Sequence, residues 1–208
     1  MQRLGGIVTR GWRLDAADPA RLFDPVGRRK YLCAPEARLF LAAARQADPR
    51  TRTFALLLAY TGCRISEGLA LTPASLDRPG GQVVIRTLKR RRLCYRVVPV
   101  PNDLMDELAL LAGGCRDDQR LWSCCRQTAW RRIKRLMKTS QIAGPQATAK
   151  GLRHRFGVLA AEHVPLALAQ RWMGHAKPQT TAIYQQVVGE EERRLAERLW
   201  DASERPDL

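Results

Sequence analysis

Strand-forming residues concentrate in two short runs, QVVIRTL at residues 82–88 and CYRVVPVP at residues 94–101, separated only by the basic stretch KRRRL. Two β-rich runs this close together pair as a hairpin or short antiparallel sheet, with Lys89 at its tip. Helical signals flank them on both sides. Pro35 suits a first helical position, and Leu39, Leu41 and Ala42 to Ala44 continue that helix to Gln46. A second helix spans about Thr51 to Ala59. The chain then turns at Gly62 and resumes as a helix through Ile65, Leu69 and Ala70 until Pro73 stops it, so Arg64 projects from a turn at a helix start. Further on, Asn102 or Asp103 caps a helix through Leu111, Gly113 and Gly114 end it, and Gln127 to Lys138 form a basic helix. The last third reads as a helix over Lys150 to Ala161, one started by Pro165, one carrying Tyr184 and a charged helix from Glu190. The expected fold is mainly α with a small antiparallel β-sheet, an α+β arrangement.

A chain of 208 residues, 45% of them hydrophobic, can bury a real core. Residues 1–33, rich in Arg, Gly, Asp and Pro, read as a basic N-terminal arm, and residues 34–208 as one domain whose last twenty residues form a C-terminal helix. Against 20 Asp and Glu stand 36 Lys and Arg, a net charge of +16, which points to a polyanionic partner. No apolar run is long enough to cross a membrane, and the N-terminus lacks a signal-peptide pattern, so the expectation is a cytoplasmic protein with no membrane partner. The six cysteines show no C-x-x-C spacing, which argues for reduced, mostly buried thiols and for no metal.

Four pieces stand out: TGCRISE at 61–67, LKRRR at 88–92, KGLRHRF at 150–156 and GHAKPQTTAIY at 174–184. In this order and spacing they resemble the tyrosine recombinase family of phage integrases and Xer-type resolvases. The resemblance covers roughly residues 35 to 190, the family's catalytic domain. It implies a site-specific recombinase that cleaves and rejoins double-stranded DNA through a 3′-phosphotyrosyl intermediate, working as a homo-tetramer on two DNA sites. The catalytic set it implies is Arg64, Lys89, Lys150, Arg153, His175 and Tyr184, with Glu67 supporting Arg64 and no cofactor.

The physical chemistry of these residue types suits those roles. Breaking a phosphodiester without a metal requires fixed positive charge around the phosphate, and Arg64 and Arg153 are planar, permanently charged and bidentate toward phosphate oxygens. A phenol with an ordinary pKa of about 10 is a poor nucleophile at neutral pH, so Tyr184 needs either a cationic field or a base. The leaving 5′ oxygen needs a proton, which Lys89 can give and a neighbouring arginine cannot. His175 is expected to donate a hydrogen bond to the phosphate. Arg90, Arg91, Arg92, Arg131, Arg132, Lys134 and Arg155 are expected to hold the DNA backbone.

Two features depart from the family pattern. The second box is usually H-x-L-R-H, but Lys150 occupies its first position, so the role of that residue stays open between phosphate clamp and proton acceptor. Members also carry an N-terminal DNA-clamping domain, where this sequence has only its basic arm, and weak, salt-sensitive DNA binding is the expectation. Two other readings use the same residues: a type IB topoisomerase-like relaxing enzyme, and a non-catalytic DNA-binding regulator derived from a recombinase.

Overall fold

A computed structural model describes residues 22–88, 93–186, 196–198 and 200. Helix α1 (Ala34–Arg45) begins where Glu36 turns back to accept the Cys33 amide, and α2 (Pro49–Thr61) where the Asp48 carboxylate accepts the Thr51 amide. Each start thus satisfies an amide that the helix itself leaves unpaired. Gly62 ends α2 with φ +58°, a conformation that disfavours other residues, and a side chain there would also strike the Phe156 ring. The next helix, α3 (Ile65–Gly68), is a single turn. It stops short of Ala70 because Thr72 and Ser75 begin a separate 3₁₀ turn (Pro73–Ser75).

The sheet is antiparallel with order β1 (Leu76–Asp77), β2 (Gln82–Arg86), β3 (Tyr95–Pro99), and Val84 lies opposite Val97. The fold class expected from the sequence is the one observed. Strand β1 was not legible, since two residues carry no alternation. Helix α4 (Asn102–Ala112) starts directly after Pro101, with no side-chain cap, and Asn102 is its first helical residue rather than its cap. Helix α5 (Arg126–Thr139) follows, then α6 (Ala149–His163), capped by the Thr148 hydroxyl accepting the Gly151 amide. The chain continues through α7 (Leu166–Met173), α8 (Gln179–Ala182) and a 3₁₀ turn (Ile183–Gln186).

One large core joins α1, α2, α4, α5 and the inner face of the sheet around Phe40, Leu57, Ile85, Leu108, Trp122 and Ile133. A smaller cluster of Leu22, Val158, Met173 and Tyr184 lies beneath α6 and α7. Burial of Leu22 and Leu32 ties residues 22–33 onto the domain. Of the six thiols only Cys63 is buried; Cys125 is exposed and the other four are half-buried, because they sit at element ends rather than on inward faces. No helix among the described residues is long and apolar enough to cross a membrane. Lys89, Arg90, Arg91, Arg92 and most of residues 189–208 lie outside the described residues.

Candidate active site

Helix α6 supplies the centre of the site. Lys150 is exposed on its first turn, and one turn later come Arg153 and His154, both buried. The Arg153 guanidinium donates to the Gly62 carbonyl at 2.6 Å and to the Met173 carbonyl at 2.7 Å, tying the turn after α2 to the end of α7. It also reaches His175 Nε2 at 3.0 Å. A guanidinium can only donate, so this His175 nitrogen accepts, and its Nδ1–H points to Thr181 Oγ1 at 2.9 Å. Both imidazole nitrogens are therefore engaged by protein groups. Burial, helped by the charges of Arg153 and Arg64, pushes the His175 pKa down to about 3, which keeps the ring neutral.

Arg64 stands at the start of α3, half-buried, and its guanidinium meets Glu67 Oε1 at 2.8 Å. The other Glu67 oxygen accepts the Arg64 amide at 3.0 Å and the Arg96 guanidinium at 2.7 Å. Burial alone would raise this carboxyl's pKa; the Arg96 charge and hydrogen bond, with Arg64, outweigh it and hold the pKa low. Arg96 also donates to the Trp172 carbonyl at 2.8 Å and to Thr87 Oγ1 at 3.1 Å. One buried carboxylate thus connects the first arginine, the sheet and the turn that holds His175.

Tyr184 lies in the 3₁₀ turn with only 3% of its surface exposed. Its ring stacks on His175 at 6.2 Å between centroids and 13° between planes, and its hydroxyl lies 3.2 Å from His154 Nδ1. Its other side rests against Gly157, where a Cβ would collide with the phenol. Burial pushes the Tyr184 pKa up to about 12, while Arg153 and Arg64 pull the other way. In this state the cationic field does not activate the phenol by itself.

These side chains open on one cleft of about 790 Å³, lined by Arg64, Lys150, Arg153, His154, His175 and Tyr184, with Arg126 and Trp130 on its outer wall. Five separate segments bring them together. The basic residues expected on DNA divide. Arg131 is exposed on α5, but Lys134 donates to the Ala147 carbonyl at 2.8 Å, Arg132 faces Asp48, and Arg155 lies half-buried near Tyr31, away from the cleft lining. Sequence reasoning gave no role to Arg96 or His154. Arg96 had a signal, a charge in the inward phase of a strand; His154 had one as the last residue of the H-x-L-R-H box, but its partner lies thirty positions away and the box alone gives it no role.

The model for the phage integrase family matches residues 30–191. The chain belongs to that family. Within it, the chain is 30% identical over 180 residues to tyrosine recombinase XerA of Thermococcus kodakarensis, covering 81% of this chain and 62% of the relative. It is 29% identical over 163 residues to tyrosine recombinase XerD of Haemophilus influenzae, covering 72% and 54%. It therefore spans less than two thirds of the length of these relatives. The fold superposes on the crystal structure of XerA recombinase with a TM-score of 0.68 at 25% identity, over 81% of this chain and 64% of that one. On the catalytic domain of bacteriophage HP1 integrase the TM-score is 0.60 at 20% identity, over 75% and 86%. The family's fold therefore extends across most of this chain.

Proposed function

We propose that this chain is the catalytic domain of a site-specific DNA recombinase, cutting one strand with Tyr184 and rejoining it to another. The observation that carries the reading is the convergence of Arg64, Lys150, Arg153, His175 and Tyr184 on one cleft. Arg64 and Arg153 hold the two non-bridging phosphate oxygens and carry the charge that grows on them in the transition state. Lys150, exposed at the mouth, acts as a further clamp on the phosphate. His175 joins them once phosphate draws Arg153 away from its ring and the Thr181 hydroxyl turns to donate to Nδ1, which moves the ring's single proton to Nε2, where it can be given to a phosphate oxygen.

Attack by the phenol forms the 3′-phosphotyrosyl bond and releases a 5′ hydroxyl, whose proton comes from Lys89. The covalent bond stores the energy of the broken one, so rejoining needs neither ATP nor a metal. Arg126 and Arg131 on α5, with Arg90, Arg91 and Arg92, grip the backbone of double-stranded DNA. Exchange between two sites needs four copies of the chain, the C-terminal segment docking on a neighbour, in the cytoplasm where the DNA lies.

The test is incubation with nicked suicide substrates carrying candidate sites, read on a denaturing gel in buffer with excess EDTA. The expected result is a protein–DNA adduct for the wild type and none for Tyr184→Phe. Adducts that vanish on chelation, or that persist in Tyr184→Phe, contradict the proposal. Relaxation of plasmids that lack any preferred site indicates a topoisomerase instead.

A further inference from the structure

We infer that His154 takes the proton of Tyr184 as the phenol attacks, an assignment that rests on the recombinase reading above. Three observations lead to it. Among the described residues, the Tyr184 hydroxyl makes one hydrogen bond, and its partner is His154 Nδ1 at 3.2 Å. The other candidates are less suited: Lys150 presents an ammonium without a lone pair, and both His175 nitrogens are engaged by Arg153 and Thr181. Finally, the imidazole is buried and its Nε2 has no hydrogen-bond partner among the described residues, so no carboxylate fixes it as a permanent cation.

A protonated phenol needs an acceptor, which gives His154 a lone pair on Nδ1 and its proton on Nε2. Burial and the charges of Lys150 and Arg153 on its own helix and of Lys30 on the N-terminal segment hold its pKa at about 3, and the neutral His175 beyond α7 would add to them only if it were itself protonated. The ring is therefore neutral and ready to accept. Such a site is a weak base while empty. An incoming phosphate brings negative charge among those cations and raises the proton affinity when the reaction requires it.

In the step itself, a lone pair on Tyr184 Oη forms the bond to phosphorus. The bond from phosphorus to the 5′ oxygen breaks with its electron pair on that oxygen, which takes a proton from Lys89. The phenol proton moves to His154 Nδ1, giving an imidazolium with both nitrogens protonated. In rejoining, a 5′ hydroxyl attacks phosphorus and gives its proton back to Lys89, the bond from phosphorus to Tyr184 Oη breaks with its electron pair on that oxygen, and His154 Nδ1 returns the proton to it.

The test measures single-turnover adduct formation on a suicide substrate by the full chain and by His154→Asn, each with tyrosine or trifluorotyrosine at position 184. A fluorinated phenol is acidic enough to need little help from a base. With ordinary tyrosine the variant is expected to be slower by about 100-fold or more, and with trifluorotyrosine the gap closes to under about 10-fold. A variant within about 3-fold of wild type, or a gap that persists with trifluorotyrosine, overturns the assignment and leaves His154 a packing residue. If the Asn variant loses the wild-type circular dichroism spectrum, His154→Gln takes its place in the same comparison. A wild type that forms no adduct overturns the recombinase reading itself, whereas equal adducts from wild type and variant overturn only the role of His154.

Discussion

Glu67 is 1% exposed between two guanidinium groups, so removing its charge strands the buried Arg96 and frees Arg64 to move. Breaking a buried pair by removing one partner typically costs about 3–5 kcal/mol, and Glu67→Gln is expected to lower stability at neutral pH by that order. The pH dependence has a definite sign. The folded-state pKa lies below the usual 4.5, so the carboxylate's stabilisation is present above 4.5 and is lost as pH falls through the lower folded value. The difference in Tm between wild type and Glu67→Gln should therefore shrink on acidification below that range; a constant difference contradicts the account. At Gly157, an added methyl meets the Tyr184 ring. Alanine gains up to about 1 kcal/mol of helix propensity, but overpacking costs about 1–3 kcal/mol. Gly157→Ala is thus expected to lose stability slightly and adduct formation severely, as thermal melts and the suicide substrate would report.

Among the elements, α5 carries cations of two kinds, an exposed one that the proposal places on DNA and one that holds the fold. Arg131 is exposed, whereas the Lys134 ammonium is spent on the Ala147 carbonyl. Arg131→Ala should weaken binding across DNA sequences and reduce the salt slope of log K by about 1. Lys134→Met should instead cost about 1–2 kcal/mol of stability and leave the salt slope unchanged. Fluorescence anisotropy over a salt series together with denaturant unfolding distinguishes the two. The helices were legible because prolines and glycines punctuate them: Pro35, Gly62 and Pro165 lie at or beside helix ends in the structure. The two-residue strand β1 and the 3₁₀ turn under Tyr184 were not, since neither is long enough to show a period.

For the molecule as a whole, the net charge of +16 announces the partner's sign but not where the chain meets it. The resemblance of four motifs to the family made Arg64, Lys150, Arg153, His175 and Tyr184 visible as a set, and the fold gathers all five at one cleft. What spacing could not reveal is the wiring behind them: Arg96 carrying Glu67, Arg153 bracing two backbone carbonyls, and His154 within hydrogen-bond reach of the phenol. Those links depend on tertiary contacts between distant segments and leave no local pattern. The most direct test of the central claim is to trap the adduct on a suicide substrate, digest it and map the nucleotide-bearing residue by tandem mass spectrometry. The account predicts a phosphodiester link from Tyr184 to the 3′ end of the cut strand; a link to any other residue, or to the 5′ end, contradicts it.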